Sequence, residues 1–289
     1  MLYGINTQSR KPLWWKGYKL KSVENFIAEF KDKTISVALQ DLETGMEFFS
    51  HADVMMHPAS TMKIPVMMEV FRQAEAGLFT LDDRLEIYNS FTSIADGSKF
   101  SLDVSDDSES TLYQRMGESE TIRELTRLMI VRSSNLASNL LMDKVSIARV
   151  DAIVKEYGIE NMSIIRELED KKALSLNMNN AACARSSTQM LRLIAEGKIV
   201  SQKACDEMIR IFLGQEFNES IPAGLPNDVK VAHKTGWSGE FFHDVGIVYP
   251  PNRKPYILSL FTHGFPENKD YEAHQCMAQI SKLIYKEIL

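Results

Sequence analysis

The stretch HPASTMKIPVMMEV, residues 57–70, sets a hydroxyl at Ser60 and an amine at Lys63 at the point where an apolar run begins. A serine hydroxyl is a poor nucleophile at neutral pH and needs a base beside it. An amine serves as that base only when burial or neighbouring cations lower its pKa. Residues i and i+3 of a helix share a face, so the spacing puts the two groups within reach. A serine at a helix start also lies at the positive end of the helix dipole, where its own N–H is free to stabilise an oxyanion. Chance alone supplies about one S-x-x-K in a chain of this size, and Ser60 gives the only one here.

Two further stretches carry complementary chemistry. RSSNLASNLLMD places Ser133 and Asn135 in a break between helical patterns. The hydroxyl can relay a proton and the amide can hold a substrate carbonyl. AHKTGWSG places Lys234, Thr235 and Gly236 at the end of a strand pattern. There an ammonium and a hydroxyl can grip a carboxylate, and glycine lets a ligand approach the backbone.

The elements that must position these groups follow from periodicity. KTISVALQDLETGMEFFS reads as a hairpin, with Ile35, Val37 and Leu39 alternating before a turn at Glu43-Thr44-Gly45. Ser22 to Phe30 before it reads as a helix, and strand patterns return in KVAHKTG and DVGIVYPPNRKPYILSLFTHG, followed by a last helix from Tyr271 to Ile288. Between them, Thr61 to Gly197 is mostly helical in spacing, with a Thr121-x-x-Glu124 capping box, while Asn89 to Ser110 reads as a long polar surface loop. If the terminal segments pair into one antiparallel sheet, the chain is α/β (α+β) with an inserted helical domain. The boundaries expected are 1–56 and 202–289 for the α/β domain and 57–201 for the helical one. The junction would bring the start of the first central helix close to the later strands, and a cleft there is where chemistry is expected.

Composition narrows the partners. With 44% hydrophobic residues and a net charge of −6, acids and bases interspersed, nothing favours nucleic acid or an anionic membrane, and a small molecule or peptide is expected. Cys183, Cys205 and Cys276 lack C-x-x-C spacing and read as buried small hydrophobes. His57, His233 and His243 flank the chemical residues without metal-ligand spacing and read as polar cleft residues, so no metal or other cofactor is expected. Trp14, Trp15 and the 15 methionines read as packing residues. No run approaches a membrane span and the first 20 residues lack the apolar stretch of a secretory signal. The chain as written is expected in the cytoplasm, or in the periplasm or outside the cell where a signal has been removed.

Taken in order, S-x-x-K, then Ser133-Ser134-Asn135, then Lys234-Thr235-Gly236 resemble the penicillin-recognising serine acyltransferases, and within them the class A β-lactamases, over nearly the whole chain. The resemblance implies that fold, with Ser60 as acylated nucleophile, Lys63 as proton acceptor, Ser133 as relay, Asn135 as substrate holder, and Lys234 and Thr235 as carboxylate binders. It implies an oxyanion hole from the N–H groups of Ser60 and Trp237, and Asn139 as brace of the loop that carries a deacylating acid. The substrates implied are β-lactams or related peptides and esters, so the rival activities are a DD-peptidase, an esterase, or a penicillin-binding sensor that does not turn over. Two departures stand out. Ser134 replaces the aspartate of S-D-N, and in SIIRELEDKKALSLNMNN the acids fall one and three residues after Arg166 rather than two. Glu169 stands 34 residues after Asn135, the spacing the family uses, and is preferred to Glu167.

Overall fold

The computed structural model describes residues 20–289, which leaves Trp14 and Trp15 outside the described residues. Helix α1 (Lys21–Ile27) leads into β1 (Thr34–Asp41) and β2 (Glu47–Ser50). The expected turn joins these strands, closed by Gly45 N–H donating to Asp41 O at 2.9 Å, with Gly45 at φ +73°. Then come α2 (Lys63–Glu75), the short strands β3 (Arg84–Glu86), β4 (Phe91–Thr92), β5 (Lys99–Phe100) and β6 (Ser119–Thr121), and α3 (Ile122–Val131). Helices α4 (Asn135–Val145), α5 (Ile147–Glu156), α6 (Lys171–Ser175), α7 (Ala184–Ala195) and α8 (Gln202–Phe212) follow. Three long strands, β7 (Lys230–Ser238), β8 (Phe241–Tyr249) and β9 (Tyr256–His263), precede α9 (Asp270–Ile288).

The five long or terminal strands form one sheet in the order β2-β1-β9-β8-β7, antiparallel throughout. Both faces are covered, so alternate residues of each strand enter different cores. Val37, Leu39, Leu258 and Leu260 pack towards α1 and α9, among Val23, Met277 and Ile280. Ala38, Val245, Ile257 and Phe261 face the other way, into the core shared with α2, α3 and α4. On that side α7 lies against the sheet and Thr188 donates its hydroxyl to Ser259 Oγ at 2.8 Å.

Helix α2 is the axis of the helical part, with every residue from Lys63 to Phe71 buried. Pro65 interrupts nothing, because it lies in the first turn where an N–H has no helical partner. Buried Glu69 is satisfied by both arms of Arg72 at 2.7 Å and by Gln73 at 2.6 Å. At α3 the capping box forms by half. Thr121 accepts from Glu124 N–H at 3.1 Å, but the Glu124 carboxylate pairs with Arg127, and the Thr121 N–H goes to Glu120 at 2.7 Å.

Asn89 to Ser110 departs from the expectation of a plain surface loop. Phe91 and Leu102 are buried in the helical core, and the rings of Tyr88, Phe91 and Phe100 pack in sequence at a tilt, their centroids 5.6 and 5.9 Å apart. Phe91, Phe100 and Leu102 pull the segment inward, which carries its acidic end, Asp106 and Asp107, to the lining of a cleft. The three cysteines are buried and unpaired, and Met62, Met67 and Met68 are core residues, as expected. Among the described residues no helix is long and apolar enough to cross a membrane.

Candidate active site

Ser60 lies on a single 3-10 turn, Ala59–Met62, that runs into α2 at Lys63. Side chains three apart eclipse on such a turn, which sets Ser60 and Lys63 on one side. The turn is held by Thr61, whose N–H and hydroxyl both donate to Pro58 O at 3.1 and 2.6 Å, and by Ala59 in the left-handed region at φ +46°. Among the described residues the Ser60 N–H donates to no acceptor. Strand β7 presses against this turn: a Cβ at Gly236 would lie 2.7 Å from Ser60 N and 3.0 Å from Thr61 N. Glycine is therefore required here by the protein's own backbone, whereas ligand approach was the reason expected from sequence.

Two fully buried lysines converge on one hydroxyl. Lys63 Nζ lies 3.2 Å from Ser133 Oγ and Lys234 Nζ lies 3.0 Å from it. Lys63 also donates to Ser133 O at 2.6 Å and Asn135 Oδ1 at 2.9 Å, and Lys234 donates to Thr235 O at 2.8 Å. Burial lowers the Lys63 pKa to about 7, against the opposing pull of the Asp107 and Glu169 carboxylates. Lys234 is likewise lowered by burial and by the Lys63 charge, with Asp244 opposing. Two ammonium groups sharing one oxygen in a dry site repel. A neutral Lys63 can donate its two hydrogens to Ser133 O and Asn135 Oδ1 and turn its lone pair to the Ser133 hydroxyl. Among the described residues no hydrogen bond joins Lys63 Nζ to Ser60 Oγ. Thr235 Oγ1 is buried without a hydrogen-bond partner, an unmet polar group of the kind that a ligand or rearrangement must satisfy.

Ser133 takes φ +56°, strained for a residue with a side chain, at the turn into α4. Ser134 caps that helix through its hydroxyl, which accepts from Ala137 N–H at 3.1 Å. Asn135 is saturated: besides accepting from Lys63, its Nδ2 donates to Asp106 O at 3.0 Å and to Glu169 Oε1 at 3.1 Å. Glu169, itself at φ +60°, also accepts from Asp103 N–H at 3.1 Å, and burial raises its pKa. Asn139 grips a backbone as expected of a brace, but the residue it grips is Leu168, through Leu168 O and N–H at 3.0 Å each. The acid is the next residue along.

Glu169 lines a cleft of about 1200 Å³ together with Ser60, Ser133, Asn135 and Trp237. Trp237 is 43% exposed at its edge, with its ring set against Phe217 at 5.8 Å. Glu167 is not among the cleft-lining residues. It is buried, and desolvation and the nearby Asp143 carboxylate raise its pKa to about 8. Of the three histidines expected at the cleft, only His57 lines it. His243 is enclosed by the sheet, its Nε2 2.8 Å from His57 O and its Nδ1 2.8 Å from Phe242 O and 3.3 Å from Thr262 N. His233 is buried between Asp244 at 2.8 Å and Asn218 at 3.2 Å. Strand alternation in a sheet covered on both faces puts these rings inside.

Asp103, Asp106, Asp107 and Leu168 were not foreseen as site residues. They reach the site through three-dimensional folding of the 89–110 and 166–175 segments, and the only sequence signal was the acidic character of the first.

Comparison with known proteins places this geometry in a family. A sequence model described as the beta-lactamase enzyme family matches residues 20–288. Beta-lactamase BRO-1 of Moraxella catarrhalis is 25% identical over 171 residues, which is 57% of this chain and 55% of that protein. The chain spans about half the length of the first curated relatives it matches. Among solved structures, a beta-lactamase from Sphaerobacter thermophilus superposes with a TM-score of 0.81 at 24% identity, over 93% of this chain and 98% of that one. PBP-A superposes at 0.78 and 24%, over 93% and 95%, and a mutant of it is described as an acyl-enzyme complex with penicillin-G. The sheet with its helical insert is thus the class A β-lactamase fold, and the chain belongs to the beta-lactamase enzyme family.

Proposed function

We propose that the chain is a serine hydrolase that forms an acyl-enzyme at Ser60, with β-lactam amides as substrates. The convergence of two buried lysines on Ser133 beside Ser60 carries this reading. Ser60 Oγ attacks the lactam carbonyl carbon and its proton passes to the free amine of Lys63. The oxyanion is held by the N–H groups of Ser60 and Trp237. As the C–N bond breaks, the proton reaches the leaving nitrogen through the Ser133 hydroxyl, and Lys63 returns to its starting state. Lys234 and Thr235 hold the substrate carboxylate, and Asn135 holds its amide once the Asp106 carbonyl gives way. Glu169 then takes a proton from water, whose oxygen attacks the ester carbonyl, and as the C–O bond to Ser60 breaks Glu169 gives that proton to Ser60 Oγ, freeing the serine.

A second reading has its own observation. The backbone braced by Asn139 bears Leu168, not an acid, and the carboxylate one residue later is already bonded to Asn135 and Asp103. That arrangement favours slow deacylation, hence a penicillin-binding protein or a peptidase of the same family. Steady-state turnover of a chromogenic cephalosporin, measured alongside the mass of the protein, separates the two. Turnover without a lasting mass increase is expected, with Ser60→Ala unlabelled and Glu169→Gln trapping the adduct through a loss of about 10²–10⁴-fold in deacylation. Glu167→Gln should deacylate as wild type does. Wild type that accumulates the adduct would be a penicillin-binding protein or peptidase instead, and labelling of a folded Ser60→Ala would exclude both.

A further inference from the structure

The replacement of an acid by Ser134 leaves the start of α4 short of a carboxylate, and the structure brings one from elsewhere. Asp107 Oδ2 accepts from Leu136 N–H at 2.9 Å, from the Tyr113 hydroxyl at 3.0 Å and from the Ser134 hydroxyl at 3.3 Å. Its Oδ1 accepts from Glu109 N–H at 2.9 Å. A capping side chain accepts from the second or third N–H of its helix, which here belong to Leu136 and Ala137. Ser134 takes Ala137 and Asp107 takes Leu136, so two residues do what one capping aspartate at position 134 could do alone. The flanking residues of this cap are Ser133 and Asn135, both bonded to Lys63.

We propose that Asp107 is a positioning residue: from the segment before α3 it supplies the carboxylate that position 134 lacks, fixing Ser133 and Asn135 against Lys63. The inference rests on acylation at Ser60. A strained Ser133 needs such a fixture, because a left-handed conformation at a residue with a side chain persists only where its surroundings over-determine it. The charged groups facing Lys63 are Asp107, Glu169 from the segment before α6, and Lys234 from β7. Asp107 thus also adds negative charge near Lys63, favouring the ammonium form.

The test is the rate of Ser60 labelling by a fluorescent penicillin, followed against pH in wild type, D107A, D107N, S134D and the double variant D107A/S134D, with thermal melting as a control on folding. D107A should acylate roughly tenfold to 10²-fold more slowly, the scale of a displaced reacting group. S134D alone should also be slow, since it sets a second carboxylate against Asp107. The double variant should recover to within about threefold of wild type, the non-additivity of two residues in one network. In D107N the acid limb of the rate profile should move to lower pH, and in the double variant it should return. Packing alone would move neither the rescue nor the pH limb. A labelled wild type with D107A at the same rate, or a folded double variant no faster than D107A, overturns the inference. If D107A fails to fold, D107N and the double variant decide in the same way. A wild type that takes no label overturns this inference and the acyl-enzyme reading together.

Discussion

At the scale of single residues, Lys63 and Lys234 share a charge, a depth and a hydrogen-bonded neighbour, yet their surroundings part them. Lys63 faces Asp107 and Glu169 as well as the second lysine, and burial lowers its pKa to about 7, so it can release and regain a proton at neutral pH. The Lys234 pKa is lowered by burial and by Lys63 as well, but Asp244 opposes that shift, and in the proposed function Lys234 binds the substrate carboxylate. Lys63→Ala should slow acylation of every substrate by about 10²–10⁴-fold. Lys234→Ala should slow carboxylate-bearing substrates roughly ten- to 10²-fold, the worth of one charge-assisted hydrogen bond, and neutral esters much less. Rates for one β-lactam and one neutral ester in both variants check the division, and equal losses on both substrates would erase it. The serine, the lysines and the asparagine were legible in sequence because each motif is local, read from neighbours a few positions apart. Asp107 and Leu168 were not, since their partners at Ser134, Leu136 and Asn139 lie about thirty residues away and no spacing rule links them.

At the scale of elements, the site depends on one close approach, that of β7 to the 3-10 turn bearing Ser60. The atoms a Cβ at Gly236 would strike are the backbone nitrogens of Ser60 and Thr61, which cannot swing aside as a side-chain tip would. Gly236→Ala should therefore part strand and turn. We expect a loss of roughly 1–3 kcal/mol in unfolding free energy, as for other overpacked sites, together with a fall in acylation larger than the stability loss explains. Denaturant unfolding and penicillin labelling on the same samples check it, and an unchanged acylation rate would show that the approach is not needed for chemistry. The strands and the first and last helices were readable because their apolar periods are regular. The 89–110 segment was misjudged because its three anchors, Phe91, Phe100 and Leu102, are scattered among Ser, Asp and Gly, so neither the helix nor the strand period registers them.

Across the whole molecule, the burial of neutral histidines sets how the fold meets acid. Desolvation, helped by the Arg166 charge, lowers the His57 pKa to about 4, and burial does the same to His243. Between about pH 6.5 and pH 4 the unfolded chain binds protons at these rings that the folded chain does not, so stability falls as pH falls through that window. Glu167 works in the opposite sense, its raised pKa removing stability as pH rises from 4.5 towards 8. Melting temperature should drop from pH 6.5 to pH 4, more steeply in Glu167→Gln than in wild type, and a flat profile over that range would refute the account.

The sheet order has a consequence for how the chain is made. Strand β1 lies between β2 and β9, with Thr34 opposite His263, so one side of β1 waits in synthesis for a strand far downstream of it. Until then the β1–β2 hairpin offers an open edge of unpaired amides, the kind that recruits other strands. The intervening helices, rich in near-neighbour contacts, can assemble in the meantime, whereas closing the sheet must gather distant ends and is slow. Nascent chains stalled short of Tyr256 should therefore be the aggregation-prone species in synthesis, and their dependence on chaperones should end once β9 is free to insert.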